Sequence, residues 1–379
     1  MLTIQIVPKL FPAVDGVGDY ALSLAHQLRQ DFEIETHFLV GDPNWSGDRE
    51  IDGFKISQVT AQTSQNLVST LTGIGTASSI VLQYVGGGYA KRACPTWLVN
   101  GLAQYQAKRT DCKLVTMFHE TYGSGPPYYG QDPPWISAFW LAPLQRNIAS
   151  RLTLLSHSCV TSRAHFKEQL NHFTRRQETS IAVAPVFSNV GEAQQISPLK
   201  NRQPILAIFG GSRSRSRVYE QFAAEIRSAC QLLEIEKIYD IGPSTGLDLT
   251  EVGNVPVVCL GEKTVSEIGE ILLNSRAGIL NYHPEFLAKS GMYAAYSAYG
   301  VMPIVVSSNV VRVDGRDGLH AREHYWPMVV SANDLAPAQL NLAVGQTIAS
   351  NAATWYRSHN LSAHARIFAN AIRSETVDS

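Results

Sequence analysis

The chain has 379 residues, a length that indicates two domains rather than one. Hydrophobic residues make up 45% of the chain and charged residues 17%, which excludes an intrinsically disordered protein. The formal net charge of −1 provides no strong basic field of the kind that binds nucleic acid, so we expect no nucleic-acid partner.

The five cysteines are scattered, with no C-x-x-C pair and no spacing that suits a metal. The N-terminus, MLTIQIVPKL, has no basic leader and is read as a first strand, not a signal peptide. No apolar stretch reaches the length of a membrane helix. We therefore expect a cytoplasmic protein with reduced thiols and no metal, for which peripheral contact with a membrane stays open.

In the first half of the chain, short apolar runs alternate with helical patterns. The predicted strands cover residues 3–7, 35–39, 79–83, 114–117, 158–161 and 181–183. Amphipathic helices are predicted between them, among others over residues 18–30 and 163–172. Strands separated by helices indicate a parallel sheet with helices on both faces.

The polar, proline-punctuated residues 186–204 interrupt this rhythm and are read as a linker. The alternation then restarts. Further strands are predicted over residues 205–209, 237–241, 257–260, 277–281, 303–306 and 328–330, and helices over 219–233, 265–274, 291–299 and 336–373.

The sequence thus predicts an α/β protein with two Rossmann-like, doubly wound domains, residues 1–185 and 205–350, joined by the linker. The final helical segment, 351–379, is expected to pack back on the first domain. Because ligands of such sheets bind at the carboxyl ends of strands, we expect the site in an interdomain cleft.

A glycine loop opens the first long helix, in the segment PAVDGVGDYALSLAHQL. Gly16 and Gly18 would let a ligand approach the helix N-terminus, where free N–H groups and the helix dipole favour anions. The same letters fit the G-x-G-x-x-A fingerprint of dinucleotide-binding proteins. That interpretation is less favoured, because the fingerprint follows its strand directly and this loop is long and holds two prolines.

The segment IFGGSRSRSRVYEQF places a basic loop at the end of a predicted strand. Gly211, Ser212, Arg213 and Arg215 lie in it, and a solvated basic loop is the plain alternative. Guanidinium groups match phosphate oxygens, and serine hydroxyls and loop N–H groups add donors. Its location at a carboxyl end favours phosphate binding.

A third segment, NYHPEFLAKSGMYAAYSAYGVMPIVV, runs from a strand through a loop to a helix. Its loop holds His283, Glu285, Lys289, Ser290 and Gly291. Lysine and serine before a helix N-terminus can hold a diphosphate, and a glutamate can accept hydrogen bonds from sugar hydroxyls. The tyrosines of the helix are interpreted as packing residues.

The run TMFHETYG ends a buried strand on His119 and Glu120, which suggests an active-site histidine; a buried histidine bonded to backbone is the alternative. An aromatic, proline-rich loop follows, with Tyr122, Tyr128 and Trp135. Aromatic faces stack on sugar rings and also dock on lipid headgroups, so this loop suits either kind of ligand, and an ordered loop packed on its own side chains is the alternative.

Over nearly the whole chain, these segments resemble the retaining GT-B glycosyltransferases of family 4. The resemblance is carried by DGVGDYALSLAHQL, TMFHETYG, SCVTSRAHF, IFGGSRSR, the run from CLGEKTVSEIGE to LNYHPE, and AYGVMPIVV. It implies transfer of a sugar from a nucleoside-diphosphate sugar to an acceptor hydroxyl of a glycan, lipid or small molecule. The donor is a substrate, and no cofactor or metal is implied.

The resemblance also implies roles for single residues. His119 would lie beside the transferring sugar, and Glu120 would orient His119 or contact the acceptor. Because the N-terminal domain binds the acceptor in that family, the aromatic loop with Tyr122, Tyr128 and Trp135 would be the acceptor site. Arg213, Arg215 and Lys289 would stabilise the negative charge on the departing diphosphate, which takes the acceptor's proton in a front-face mechanism. The family's pair of donor-site glutamates is incomplete. Aligned from Gly300, its two positions hold Leu287 and Ala295, so the glutamate that binds the nucleotide ribose is missing.

Three alternatives stay open. The missing glutamate fits a binding protein of the same fold that does not catalyse transfer. A nicotinamide-dependent oxidoreductase would use Gly16 and Gly18, but no acid closes the next strand at the expected place. A nucleotide-sugar epimerase would draw acids and bases from Glu120, His283 and Glu285.

Overall fold

The computed structural model describes residues 1–13, 15–121, 135–174, 180–308, 314–329 and 340–373, with side chains of residues 135–140 and 329 excepted. The chain divides into two compact units. The first comprises Met1–Pro185 together with the helix Leu361–Arg373, and the second comprises Val186–Asn360. Residues 186–204, interpreted as a linker, therefore belong to the second unit.

The first unit is built on an eight-stranded sheet. Its strands are β1 Leu2–Val7, β2 Glu35–Val40, β3 Glu50–Ile51, β4 Phe54–Gln58, β5 Ser79–Tyr84, β6 Lys113–Phe118, β7 Ser158–Thr161 and β8 Ile181–Val183. They lie in the order β3-β4-β2-β1-β5-β6-β7-β8, and every neighbouring pair is parallel except β3 with β4.

Helices cover both faces of this sheet. They are α1 Gly16–Phe32, α2 Ser64–Ile74, α3 Gly86–Tyr89, α4 Thr96–Lys108, α5 Trp135–Leu155, α6 Ala164–Thr174 and, from the end of the chain, α12 Leu361–Arg373. Apolar side chains of α2, α4 and α5 pack in one core with β1, β5 and β6. Helix α1 packs with β2 in another, and α12 packs on α1. This is the doubly wound arrangement that the alternating pattern predicts.

The second unit has a seven-stranded sheet. Its strands are β9 Gln203–Phe209, β10 Lys237–Ile241, β11 Glu251–Val252, β12 Val255–Gly261, β13 Ser275–Asn281, β14 Met302–Ser307 and β15 Trp326–Val329. The order is β11-β12-β10-β9-β13-β14-β15, and only β11 runs antiparallel to its neighbour. Its helices are α7 Ser212–Gln221, α8 Ala223–Leu232, α9 Val265–Asn274, α10 Gly291–Ala298 and α11 Leu342–Arg357. The predicted fold class, α/β with two Rossmann-like units, is confirmed.

Two helical predictions need correction. The helix expected over residues 219–233 is in fact α7 and α8, which meet at Phe222, and α7 begins seven residues earlier than expected. The Arg/Ser run at its start has no apolar periodicity, so the pattern did not reveal a helix there. Of the segment predicted as one helix over 336–373, the described residues 340–373 hold two helices, α11 and α12, and α12 groups with the first unit.

The start of the second unit is fixed by a buried arginine, Arg202. Its guanidinium donates to four backbone carbonyls, those of Ser197, Leu272, Ser275 and Tyr299, at 2.9–3.3 Å. Two of these carbonyls lie at the C-terminus of α9 and one follows α10, where helices leave acceptors without a partner. Burial lowers the pKa of Arg202 to about 10, so the group stays charged at neutral pH.

Helix α12 is held to the first unit by a buried histidine, His364. Its Nε2 lies 2.8 Å from the Pro185 carbonyl oxygen, and its Nδ1 lies 2.8 Å from the Tyr20 hydroxyl. Burial lowers the pKa of His364 to about 4, which keeps the ring neutral in the folded chain.

We predict that Arg202→Met destabilises the second unit by at least about 3 kcal/mol, because four buried carbonyls lose a charged donor. The free energy of unfolding from urea titration measures this. Lys200→Ala, which removes an exposed cation two residues away, serves as the control and should change stability by less than about 0.5 kcal/mol. Equal effects of the two substitutions would contradict the anchoring role.

We also predict a pH dependence that comes from His364. Between pH 6.5 and 4 the unfolded chain binds a proton that the folded chain does not, so this contribution is complete above pH 6.5 and is lost as pH falls toward 4. From pH 7.5 to 4.5, the wild type should lose about 2–3 kcal/mol more of its unfolding free energy than His364→Gln does. The contributions of the other buried histidines are the same in both proteins, so they cancel in this difference. Identical pH profiles would contradict the buried neutral ring.

Candidate functional site

In the first unit, the sequence-predicted histidine lies at the carboxyl end of the sheet. His119 directly follows β6; its backbone N–H donates to the Tyr84 carbonyl at 3.0 Å, and the residue is 8% exposed. Its Nε2 lies 2.9 Å from Gln83 Oε1, and its ring stands nearly perpendicular to the Tyr20 ring, with centroids 4.9 Å apart. Side chains on two different elements, Gln83 on β5 and Tyr20 on α1, therefore contact this imidazole.

The partner of His119 is itself part of a buried polar row. Gln83 Nε2 donates to Gln5 Oε1 at 3.1 Å, which turns Gln83 Oε1 toward the imidazole and places a proton on Nε2. Gln5 and Gln83 are both fully buried on neighbouring strands β1 and β5. Parallel strands covered on both faces are usually apolar, so these two glutamines depart from the packing rule where His119 needs support.

The other predicted residues of this edge are placed only in part. Glu120 follows His119 and is half-buried. Tyr122 and Tyr128 lie outside the described residues; Trp135 begins α5, but its side chain also lies outside the part that is described. The predicted acceptor loop therefore stays a prediction.

The two glycines of the glycine loop, Gly16 and Gly18, have different surroundings. The helix α1 begins at Gly16, and the Asp15 side chain accepts from the Val17 N–H at 3.0 Å. A Cβ added at Gly18 would lie 2.4 Å from the Lys9 carbonyl oxygen, whereas one at Gly16 would meet nothing within 4 Å. Gly18 is thus explained by close packing of the loop on the helix, and only Gly16 borders open space.

In the second unit, two helix N-termini lie side by side. Gly211 caps α7 with no side-chain bond to the helix, and Ser212 and the exposed Arg213 form its first turn. Helix α10 begins at Gly291, after strand β13, which is the hydrogen-bonded neighbour of β9. A Cβ added at Gly210 would lie 2.9 Å from the Met292 sulfur, so the loop after β9 touches the first turn of α10.

Arg215, predicted to bind the donor phosphates, has a structural role. It is 1% exposed and lies inside α7. Its guanidinium pairs with Asp240 and donates to the carbonyls of Pro243 and Gly210, the latter at 2.9 Å. Tyr219 donates to the second oxygen of Asp240 at 2.9 Å. Because these groups use the guanidinium inside the unit, we remove Arg215 from the candidate phosphate ligands.

The segment between β13 and α10 is ordered by its own polar side chains. His283 Nδ1 accepts from the Glu285 N–H at 3.2 Å and caps a short 3-10 helix, Pro284–Lys289. Ser290 then caps α10 by accepting from the Tyr293 N–H at 3.2 Å. Lys289 is half-buried, one residue before this cap. His283 and Ser290 are thereby engaged in shaping the loop, and they support rather than extend the anion-binding edge.

Sequence reasoning missed a cation at this edge. Arg316, after β14, lies 3.6 Å from the Glu285 carboxylate, which is mostly buried. A pairing thirty-one residues apart leaves no local signal in the sequence. At the two positions of the glutamate pair aligned from Gly300, Leu287 and Ala295 are buried at 1% and 0% exposure, so no carboxylate replaces the missing one there.

The three tyrosines in and just after α10 are packing residues, as expected from the sequence. Tyr293, Tyr296 and Tyr299 are buried, and each hydroxyl donates to a backbone carbonyl at 2.8–3.1 Å. Among the described residues, no group of three or more His, Cys, Asp or Glu side chains is arranged to hold a metal ion. In the same part of the chain, no helix combines the length and apolarity needed to cross a membrane.

No protein-family model and no curated protein sequence matches the chain. Solved structures do match along nearly its whole length. TarM aligns with a TM-score of 0.64 at 9% identity, over 98% of this chain and 99% of its own. An α,α-trehalose-phosphate synthase (UDP-forming) from Burkholderia xenovorans, in complex with glucose-6-phosphate, aligns at 0.58 and 11% identity, over 98% and 100%.

A further match is an α-glucosyltransferase in complex with UDP and a 13-mer DNA, at a TM-score of 0.54 and 11% identity over 99% of both chains. At such identities the comparison defines a fold and not an activity. The chain has the GT-B fold, in which two Rossmann-like domains follow one another. This bears out the fold that the sequence motifs suggested.

We predict very different losses of stability for two arginines that lie two residues apart in α7. Arg215→Met leaves the Asp240 carboxylate buried without its cation and should cost about 3–5 kcal/mol of unfolding free energy. Arg213→Ala removes an exposed side chain and should stay within about 0.5 kcal/mol. Urea unfolding of both variants measures the difference. A similar loss in both would mean that Arg213 is also structural.

Proposed function

We propose that the protein is a glycosyltransferase that moves a sugar from a nucleoside-diphosphate donor to an acceptor hydroxyl. The observation that carries the proposal is the pair of helix N-termini, α7 and α10, on neighbouring strands of the second unit, with Gly210 against Met292. Helix N-termini attract anions through their free N–H groups and dipoles, and two adjacent ones suit the two phosphates of a diphosphate.

In the proposed donor site, the backbone around Gly211, Ser212 and Gly291 receives the diphosphate. Arg213 and Lys289 stabilise the negative charge that grows on it as the sugar departs. Glu285, held by Arg316, is the proposed acceptor for sugar hydroxyls. Two of the similar structures, the UDP-forming synthase and the α-glucosyltransferase with UDP, support a uridine nucleotide as the first donor to test.

The first unit contributes His119 and Glu120 in this proposal. Gly16 leaves open space in which a ligand can approach the backbone. His119 touches the transferring sugar and Glu120 contacts the acceptor or orients the histidine. Transfer proceeds with retention: the acceptor hydroxyl attacks the anomeric carbon on the face that the diphosphate leaves, and a diphosphate oxygen takes the hydroxyl proton. The segment with Tyr122, Tyr128 and Trp135 is the proposed acceptor site, for a glycan, lipid or small molecule.

A second candidate is a sugar-nucleotide-binding protein without transferase activity. Ala295, fully buried where the family's ribose-binding glutamate is expected, favours it. The two candidates agree on binding and differ on turnover, so one experiment with two readouts separates them.

We predict that UDP or another nucleoside diphosphate raises the melting temperature, because a ligand at one hundred times its Kd adds about 2.7 kcal/mol of stability. The panel comprises UDP, GDP, ADP, their sugar conjugates and NAD(H). Arg213→Ala should abolish the shift, and exposed Lys200→Ala should keep it. Stabilisation by NAD(H) alone would contradict the proposal and favour an oxidoreductase.

The stabilising nucleotide sugar is then incubated with an acceptor library, and release of the nucleoside diphosphate is measured. Transfer that is lost in His119→Ala, with the nucleotide-induced shift retained, would support the transferase. Binding with no transfer to any acceptor and no donor hydrolysis would favour the binding protein.

A further inference from the structure

The helix α12 reaches the candidate catalytic histidine through two side chains. His364 lies at the start of α12 and contacts Tyr20 of α1, and the Tyr20 ring packs against His119. Tyr20 and His364 are both buried, at 4% and 0% exposure. The three residues come from positions up to 344 apart in the chain, yet all lie in the first unit.

The directions of the hydrogen bonds that link Pro185, His364 and Tyr20 follow from which of these groups can donate and which can only accept. The Pro185 carbonyl can only accept, so His364 Nε2, at 2.8 Å, carries the proton and donates it. Burial keeps the ring neutral, with its pKa lowered to about 4, so Nδ1 has a lone pair and accepts from the Tyr20 hydroxyl at 2.8 Å. One backbone carbonyl thus fixes the tautomer of His364 and the orientation of the Tyr20 hydroxyl.

The contact of the Tyr20 ring with His119 complements the hydrogen bond that His119 donates to Gln83. That bond constrains Nε2 of the imidazole, but because the χ2 torsion of histidine is broad, a hydrogen bond at a single atom does not define the ring plane. The Tyr20 ring, at 88° to the imidazole and 4.9 Å from it, restricts rotation from another side. A tyrosine ring whose hydroxyl is hydrogen-bonded moves less than one held by packing alone, so it restricts the imidazole more strongly.

We propose that Tyr20 and His364 are positioning residues that hold the His119 imidazole in the orientation needed for sugar transfer. The proposal rests on the proposed function, in which His119 contacts the donor sugar. Helix α12 then contributes to turnover through a specific hydrogen bond, in addition to its packing on α1.

Two substitutions at His364 separate positioning from packing. Asparagine places its carboxamide near the position of Nδ1 and keeps an acceptor for Tyr20, whereas glutamine reaches the position of Nε2 and keeps a donor for Pro185. Each loses one hydrogen bond, so both should lower stability. We expect His364→Gln to lower kcat at least about tenfold with KM little changed. We expect His364→Asn to retain most of the wild-type kcat.

Tyr20→Phe provides a second variant that keeps the ring and removes only the hydroxyl. It should reproduce the loss of kcat in His364→Gln, and the double variant should be no slower than either single one, because both break the same hydrogen bond. Full additivity of the two losses, or equal kcat in His364→Gln and His364→Asn, would overturn the proposal.

A readout without turnover keeps this test apart from that of the proposed function. In protein labelled with ¹⁵N-histidine, the His119 ring signals are identified by their loss in His119→Ala. At neutral pH we expect one Nε2-protonated form in the wild type and in His364→Asn, and a broadened or mixed signal in His364→Gln and Tyr20→Phe. Unchanged His119 signals in all variants would refute positioning, whether or not the wild type transfers sugar.

Discussion

The second unit depends on two guanidinium groups that lie inside it. Charged groups are tolerated there only when their N–H groups have partners, and Arg202 and Arg215 are satisfied largely by backbone carbonyls. Arg202 ties the first residues of the unit to the ends of α9 and α10. Arg215, with Asp240, ties the loop after β9 to the loop after β10. Arg215 therefore holds in place the backbone that leads into the N-terminus of α7.

The same logic applies to the first unit with neutral groups. Gln5 and Gln83 lie on strands whose other residues are largely apolar; Gln5 accepts a hydrogen bond from Gln83, and Gln83 accepts one from His119. The Gln5 amide nitrogen has no hydrogen-bond partner among the described residues, a cost of about 1–3 kcal/mol. Departures from a packing rule of this kind concentrate at functional sites, where geometry matters more than stability.

Local patterns in the sequence predicted the fold well and pointed to most of the candidate site residues. Alternating apolar runs predicted twelve of the fifteen strands that the structure describes and missed β3, β4 and β11. The polar ends of strands pointed to His119, Arg213 and the loop before α10. Periodicity failed at α7, where the first turn is polar, and it left α2 and α4 unassigned.

The remaining features depend on contacts between distant segments. Arg215 resembles Arg213 in the sequence, and only the folded chain shows that Arg215 is buried against Asp240 while Arg213 is exposed. The pairing of Arg316 with Glu285 and the approach of His364 to Tyr20 require the folded chain. No spacing rule predicts such pairs, because they are set by which strands become neighbours.

The central claim, that the second unit binds a diphosphate at the N-termini of α7 and α10, is tested most directly by a crystal structure with bound UDP. The account predicts phosphate oxygens within hydrogen-bond distance of the backbone N–H groups near Ser212 and Gly291, with Arg213 turned toward them. Phosphates bound at Gly16 of α1, with none at Ser212 and Gly291, would contradict it.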